Sequence, residues 1–320
     1  MPQKLNVIQS KNLLIGIDGG GTKTNFLFAE DNLNTLHTSS AGASNLTTYG
    51  IENVFNLILN NIIQFIDSVD LSSTQNISVV AGLAGAGRPD EAESLQKILR
   101  QKLNELYSPK IFIKIVTDAV ITLEGAFTGK AGAILIAGTG SILFGKDKDD
   151  NFFRAGGFGK IIGDEGSGYS IGRKALQLYS HFLDNRKEKT KLDELISESM
   201  KVNDSGSLIK NIYSGNFDIA SIAPLVLQAA DENDKSAQKI LNEGCDELVN
   251  HIPPYLKFTN SNESEICLLG SLISNDNFYS KLLKKKIKEN FPGIKIIQPQ
   301  HSPEYGAVLI AKKLIGTESR

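Results

Sequence analysis

Runs of apolar residues divide the chain into short strands and longer helices. "NLLIGID", residues 12–18, is continuously apolar and reads as a buried strand, and "KTNFLFAE", residues 23–30, alternates as its hairpin partner. "ISVVAGLAG" from Ile77 and "IFIKIVTDA" from Ile111 predict two more strands, the second running straight into the polar end at Asp118. Between them "RPDEAESLQKILRQKLNEL" predicts a helix, with Pro89 at its start, acids in its first turn, and Ala92, Leu95, Leu99 and Leu103 on one face. "AGAILIAGTGSILFG", from Ala131, is again strand, Gly/Thr turn, strand. After Gly168 the pattern turns helical in "GYSIGRKALQLYSHFL", "FDIASIAPLVLQAADE" and "SAQKILNEGCDELVNHI". "EICLLGSLI" predicts a late strand that ends in Gly-Ser, and "PEYGAVLIAKKLIG" a last helix from Pro303. The polar stretches "DNRKEKTK" and "TNSNESE" read as solvated loops. Strands alternating with helices give an α/β fold with mixed sheets.

The hairpin around Gly19 and the one around Gly138 share one grammar, which suggests a duplicated domain rather than a solenoid. The chain has 320 residues, and two domains is the natural expectation. A formal net charge of −2 gives no electrostatic reason to expect nucleic acid or an anionic membrane as partner. The apolar window from Ala131 to Gly145 is too short and glycine-rich to span a bilayer. The first twelve residues show no signal peptide, and they are too few for a helix-turn-helix. Two cysteines, Cys245 and Cys267, form no disulfide framework and suit a cytoplasmic location; inert buried thiols are the plain expectation for both.

Three glycine turns, "DGGGTKT", "GTGS" and "LLGS", each follow an apolar strand. Bare glycines expose backbone N–H groups, Thr and Ser add hydroxyl donors, and Lys23 adds a positive charge. One such turn is equally a tight hairpin; three suit a phosphate chain and a nucleoside. The first has P-loop-like glycine spacing but Thr22-Lys23 in the wrong order, and a strand follows it instead of a helix. "GSGYSIG" has the wrong spacing for a dinucleotide fingerprint. Four scattered histidines and no HExxH argue against a His-based metal site.

Among the acids, Asp18 closes the first strand and can either cap the turn or hold Mg²⁺ through water. Asp118 stands where a helix cap or a catalytic base would stand. Asp164 and Glu165 lie in "GGFGKIIGDEGSG", whose many glycines around adjacent acids suggest a loop shaped around a ligand, and sugar hydroxyls are typically bound by carboxylates and amides. Asn45 in "AGASNL" is a similar candidate or a structural turn residue.

"GIDGGGTKT", "TDA", "AGTGS", "GGFGKIIGDEGSGYSIG" and "LLGS", in this order from Leu13 to the final helix, resemble the BadF/BadG/BcrA/BcrD ATPase family, and within it the N-acetylglucosamine kinase branch. The resemblance implies the fold of the actin, hexokinase and Hsp70 superfamily: two duplicated ribonuclease H-like domains with ATP and sugar in the cleft between them. It places the first domain at residues 1–128, with the C-terminal helix over 303–316 a candidate to complete it, and the second at 129–302. It implies that Gly20, Gly21, Thr22 and Lys23 form a first phosphate loop with Asp18 near Mg²⁺. Gly138, Thr139, Gly140 and Ser141 match a second phosphate loop, and Gly270 and Ser271 the loop against adenosine. Asp118 matches the general base of in-line transfer to a sugar 6-hydroxyl, and Asn45, Gly157 and Asp164 match positions that hold the sugar. The implied cofactors are ATP and Mg²⁺, the implied partner a small amino sugar, and the implied assembly a homodimer.

Two departures bear on the acetamido contact. Ile142 follows the "GTGS" turn where mammalian N-acetylglucosamine kinases carry Asn, and Phe158 replaces the tryptophan of "GGWG". Glucosamine, or another amino sugar, is therefore the alternative acceptor. An activator ATPase with an iron–sulfur cluster and a non-catalytic sugar sensor are the competing functions; residues 137–172 hold no cysteine, and a sensor has no need of Asp118. The Cys/His zinc motif usual in ROK sugar kinases is absent from the sequence.

Overall fold

The computed structural model describes residues 6–215 and 217–317, and the chain divides into two compact units. Unit 1 comprises residues 1–130 and 299–320, and unit 2 residues 131–298. Residues 1–5, on which the expectation of a leader-free start partly falls, lie outside the described residues.

In unit 1 the elements run β1 (Asn6–Val7), β2 (Asn12–Gly19), β3 (Thr24–Glu30), β4 (Thr35–Ala41), α1 (Leu46–Ile66), β5 (Val69–Asp70), β6 (Asn76–Leu83), α2 (Pro89–Leu106), β7 (Lys110–Thr117) and α3 (Asp118–Ala126). In unit 2 follow β8 (Gly132–Ala137), β9 (Ser141–Lys146), β10 (Phe152–Gly156), α4 (Gly168–Leu183), α5 (Lys191–Met200), α6 (Ser205–Tyr213), a 3₁₀ turn (Ile219–Ile222), α7 (Ala223–Asp231), α8 (Lys235–Val249), α9 (Ile252–Thr259), β11 (Ser264–Leu269), α10 (Phe278–Asn290) and β12 (Ile294–Ile297). The last helix, α11 (Pro303–Thr317), belongs to unit 1.

Among the described residues the strands form two five-stranded mixed sheets and the small pair β1–β5. The first sheet has the order β4-β3-β2-β6-β7 and the second β10-β9-β8-β11-β12. In each, three antiparallel strands are followed by two parallel ones, so the hairpins β2–β3 and β8–β9 hold the same place. The echo between the two glycine hairpins is thus repeated in the topology, in an α/β fold of mixed sheets.

Each side of the first sheet has its own apolar layer. Leu13, Ile15, Ile17, Phe26 and Phe28 point toward α1 and α2, meeting Val54, Ile58, Leu95 and Leu99. Leu14, Leu27, Ala29 and Val80 point the other way, against Ile121 of α3 and Ala307, Val308 and Ala311 of α11. That alternation is the period-2 signal of a strand covered on both faces. Helix α11 lies directly on β2: a Cβ added at Gly16 would stand 2.0 Å from the Glu304 carbonyl oxygen. It lies equally close to α3, since a Cβ at Gly306 would stand 2.0 Å from the Ile121 carbonyl oxygen. Glycine at these points lets backbone meet backbone.

Two expectations change in detail. "FDIASIAPLVLQAADE" is not one helix: a 3₁₀ turn precedes α7, which starts at Ala223 because Pro224 has no N–H to continue a helix through it. The segment ending in "VNHI" breaks after Val249, and α9 begins at Ile252 with Pro253 and Pro254 in its first turn. The strand β4 and helix α1 are not among the elements predicted from the pattern. β4 is a polar, mostly exposed edge strand, and α1 is kinked at Gly50, which takes φ +74°.

Candidate active site

In unit 1 the parallel strands β2, β6 and β7 end together. Asp18 pairs with Gly82, and Leu83 with Thr117, the residue before Asp118. Ligands of α/β sheets bind at such carboxyl ends. The glycine turn that follows is closed by the Gly20 amide donating to the Lys23 carbonyl at 3.0 Å. The Ser44 amide donates to the Gly20 carbonyl at 3.0 Å, so across the planar peptide the Gly21 amide points away from Ser44. Gly21, Thr22 and Lys23 are exposed, and their amides have no partner among the described residues. A Cβ at Gly21 would meet nothing within 4 Å.

Asp18 lies within electrostatic range of Lys23, Asp118 and Glu304, the last at the start of α11. Burial pushes the Asp18 carboxyl up to about 6, the Glu304 and Asp118 carboxylates add to the rise, and Lys23 opposes it. Asp118 is the first residue of α3; burial raises its carboxyl above the usual range, against the stabilising N–H of Ala119 at 2.9 Å. The outer face of this side chain stays open to solvent. The cap of α3 is Thr117 rather than Asp118, which takes the first helical position and presents a free oxygen to solvent, open to base chemistry. Glu304 was not singled out by sequence; the acid one residue after Pro303, in the first turn of a helix, is the signal that marks it. Asn45 caps α1, its Oδ1 accepting from Thr48 N at 3.1 Å, which leaves its amide hydrogens without a partner among the described residues.

In unit 2 the second glycine turn is anchored by its carbonyls. Gly168 N donates to Gly138 O at 2.7 Å and Tyr169 N to Thr139 O at 3.2 Å, at the start of α4. The trans peptides then turn the amides of Thr139 and Gly140 away from α4. Asp164, at φ +58°, accepts from Ser141 N at 3.3 Å through Oδ1, and its carboxyl lies against Gly140, where an added Cβ would stand 3.0 Å from it. Ser141 Oγ donates to Glu165 O at 2.6 Å. Asp164 thus braces the second turn, a role the sequence did not reveal. Gly157 faces Ile142, and Phe158 is exposed with the Arg154 guanidinium 4.9 Å from its ring centre. Gly270, at φ +95°, lies on the backbone of Ala137, placing the "LLGS" turn beside the end of β8, and Ser271 is exposed.

Cys245 and Cys267 are buried, and burial pushes their thiols up to about 12 and about 11, as expected of inert packing cysteines. Among the described residues no three His, Cys, Asp or Glu side chains are grouped to hold a metal ion. None of the described helices is long and apolar enough to cross a membrane.

Two mixed sheets of one topology, with glycine turns at their strand ends, make an α/β fold of the actin-like kind. The chain belongs to the BadF/BadG/BcrA/BcrD ATPase family, whose family model matches residues 15–311. It is 32% identical to an N-acetylmuramic acid/N-acetylglucosamine kinase of Clostridium acetobutylicum, over 93% of this chain and 98% of that one. It is 28% identical to an N-acetyl-D-glucosamine kinase of Dictyostelium discoideum, over 94% of this chain and 98% of the relative. A crystal structure of a candidate N-acetylglucosamine kinase from Chromobacterium violaceum superposes with a TM-score of 0.71 at 26% identity, covering 95% of this chain and all of that one. Membership of this family implies the use of ATP.

Proposed function

We propose that the chain is an ATP-dependent amino-sugar kinase that phosphorylates the 6-hydroxyl of N-acetylglucosamine, with Asp118 as general base. The observation that carries this is Asp118 itself: a carboxylate at the end of parallel strand β7, its pKa raised, beside Asp18 and the first glycine turn. A raised pKa improves a carboxylate as a proton acceptor for a hydroxyl. The kinship with amino-sugar kinases supports the substrate class.

In this mechanism the free amides of Gly21, Thr22 and Lys23, with the Lys23 ammonium, form the first phosphate loop. The amides of Thr139 and Gly140 form the second phosphate loop, whose turn Ser141 sets with its hydroxyl on Glu165 O, and Gly270 and Ser271 lie against adenosine. Asn45, Gly157 and Asp164 hold the sugar. Asp118 takes the proton of the 6-hydroxyl as that oxygen attacks the γ-phosphate in line, and loop amides offset charge on the phosphoryl oxygens. Asp18 fits a magnesium ion, since a cation would relieve a pocket where Glu304 and Asp118 already raise its carboxyl; water and phosphate would complete the coordination. Such an ion supplies charge neutralisation at the phosphates. A homodimer in the cytoplasm completes the proposal, and light scattering reads its assembly.

ADP release from MgATP is to be measured with N-acetylglucosamine, glucosamine, N-acetylmannosamine, N-acetylmuramic acid, glucose, and no sugar. Strong stimulation by N-acetylglucosamine supports the proposal. Preference for glucosamine replaces the acceptor, and release indifferent to every sugar overturns the kinase.

A further inference from the structure

Below the loop that carries Gly157 and Asp164, α8 and α9 meet at His251, a buried side chain to which the phosphate and sugar roles give no use. Its Nδ1 lies 3.0 Å from the carbonyl oxygen of Glu247. A carbonyl only accepts, so Nδ1 carries the hydrogen and Nε2 is the nitrogen left over. Nε2 stands 3.8 Å from Glu165 Oε2, an oxygen that is sealed from solvent and has no hydrogen-bond partner among the described residues. A Cβ on Gly156, at φ +73°, would lie 2.3 Å from Nε2. The last residue of β10 is therefore bare where the imidazole rests on it.

The rest of the loop is tied to the same place. Gly166 N donates to Glu247 Oε2 at 2.9 Å, and Tyr279 Oη donates to Gly166 O at 2.7 Å. Lys174 Nζ holds Glu247 Oε1 at 2.8 Å and reaches Glu243 at 3.5 Å. At its other end Glu165 takes the Ser141 hydroxyl on its carbonyl, next to the bond from Ser141 N to Asp164. Glu165 thus links the buried imidazole to the second glycine turn. A proton on Nε2 makes that link an ion pair.

We infer that His251 is a positioning residue: by holding Glu165 it fixes the loop over residues 157–167, and with it the Asp164 carboxylate. Its bearing on catalysis rests on the kinase proposed above, in which Asp164 meets the sugar. The plainer role for His251 is to satisfy the Glu247 carbonyl at the end of α8. Two substitutions separate these roles. His251→Asn keeps a donor at the position of Nδ1 but stops short of Glu165. His251→Gln reaches as far as Nε2 but gives up the Nδ1 position.

Both variants of the full chain are compared with wild type by amide hydrogen exchange over residues 157–167, without substrate, and by steady-state kinetics with MgATP and N-acetylglucosamine. Loss of one orienting contact predicts, for His251→Asn, exchange about fivefold faster and a sugar KM about fivefold higher, with kcat and the ATP KM within about twofold. His251→Gln is expected to behave as wild type in both. An unchanged His251→Asn, or a His251→Gln equally or more disturbed, overturns the inference. The exchange contrast needs no turnover, so it decides the His251–Glu165 link even where N-acetylglucosamine proves not to be phosphorylated; in that event the kinase falls and the link stands.

Discussion

Asp18 and Asp118 sit within reach of each other's charge, and both ionise later than an ordinary aspartate. For Asp118, proposed as the base, Asp118→Asn should lower kcat by at least about 10²-fold with little change in sugar affinity. A near-normal kcat would remove it from that role. For Asp18 the raised pKa has a cost that depends on pH. Well below pH 3.8 the group is protonated in both states. As pH rises toward about 6 the unfolded chain releases the proton first, so stability falls through this window, and above it the penalty is complete. Asp18→Asn should therefore raise Tm more at about pH 8 than at about pH 4; equal gains at both would deny the burial effect. Glu304→Gln should move the Asp18 carboxyl titration, followed by ¹³C NMR, toward lower pH.

At the scale of elements, glycines divide into those the packing needs and those it does not. Gly306 lets α11 touch α3, with Ile121 O 2.0 Å and Gly125 N 2.4 Å from an added Cβ. Gly306→Ala must push two backbones apart and should cost about 1–3 kcal/mol in chemical denaturation, carrying Glu304 with it. Gly21 has open space around it, so Gly21→Ala should change stability by less than about 0.5 kcal/mol while raising the KM for ATP. Loss of stability without loss of ATP affinity at Gly21 would reverse its assignment. The sequence showed the three turns and the helix α2, whose buried Ala92, Leu95, Leu99 and Leu103 are the face its spacing predicts. It concealed α1 because Thr47, Thr48 and Gly50 blur its start, although Val54, Ile58, Ile62 and Ile66 keep a helical spacing beyond the kink.

For the molecule as a whole, the last helix closes a core begun at the other end of the chain. Val308 is fully buried in the layer over β2, β3 and β6. Val308→Asp places a charge there, and the amides of those strands should lose protection from hydrogen exchange. Among the described residues the core of unit 2 is built from its own side chains, so β8, β9 and β11 should keep their protection. Equal loss in both units would show that they open together.

Periodicity, turn chemistry and the order of motifs lie along the chain, so the sequence by itself determined the strand–glycine–strand hairpins, the α/β class, the inert thiols and the place of Asp118 between a strand and a helix. The repeat of two glycine hairpins was likewise legible before the two sheets. Which distant groups meet is set by packing, and only the tertiary structure decided that. Glu304 reaches Asp18 because Gly16 and Gly306 let α11 lie against β2 and α3. Asp164 turns onto Ser141 because Gly140 leaves room for its carboxyl, and His251 reaches Glu165 because Gly156 is bare. A missing side chain is visible in a sequence; the neighbour it makes room for is not.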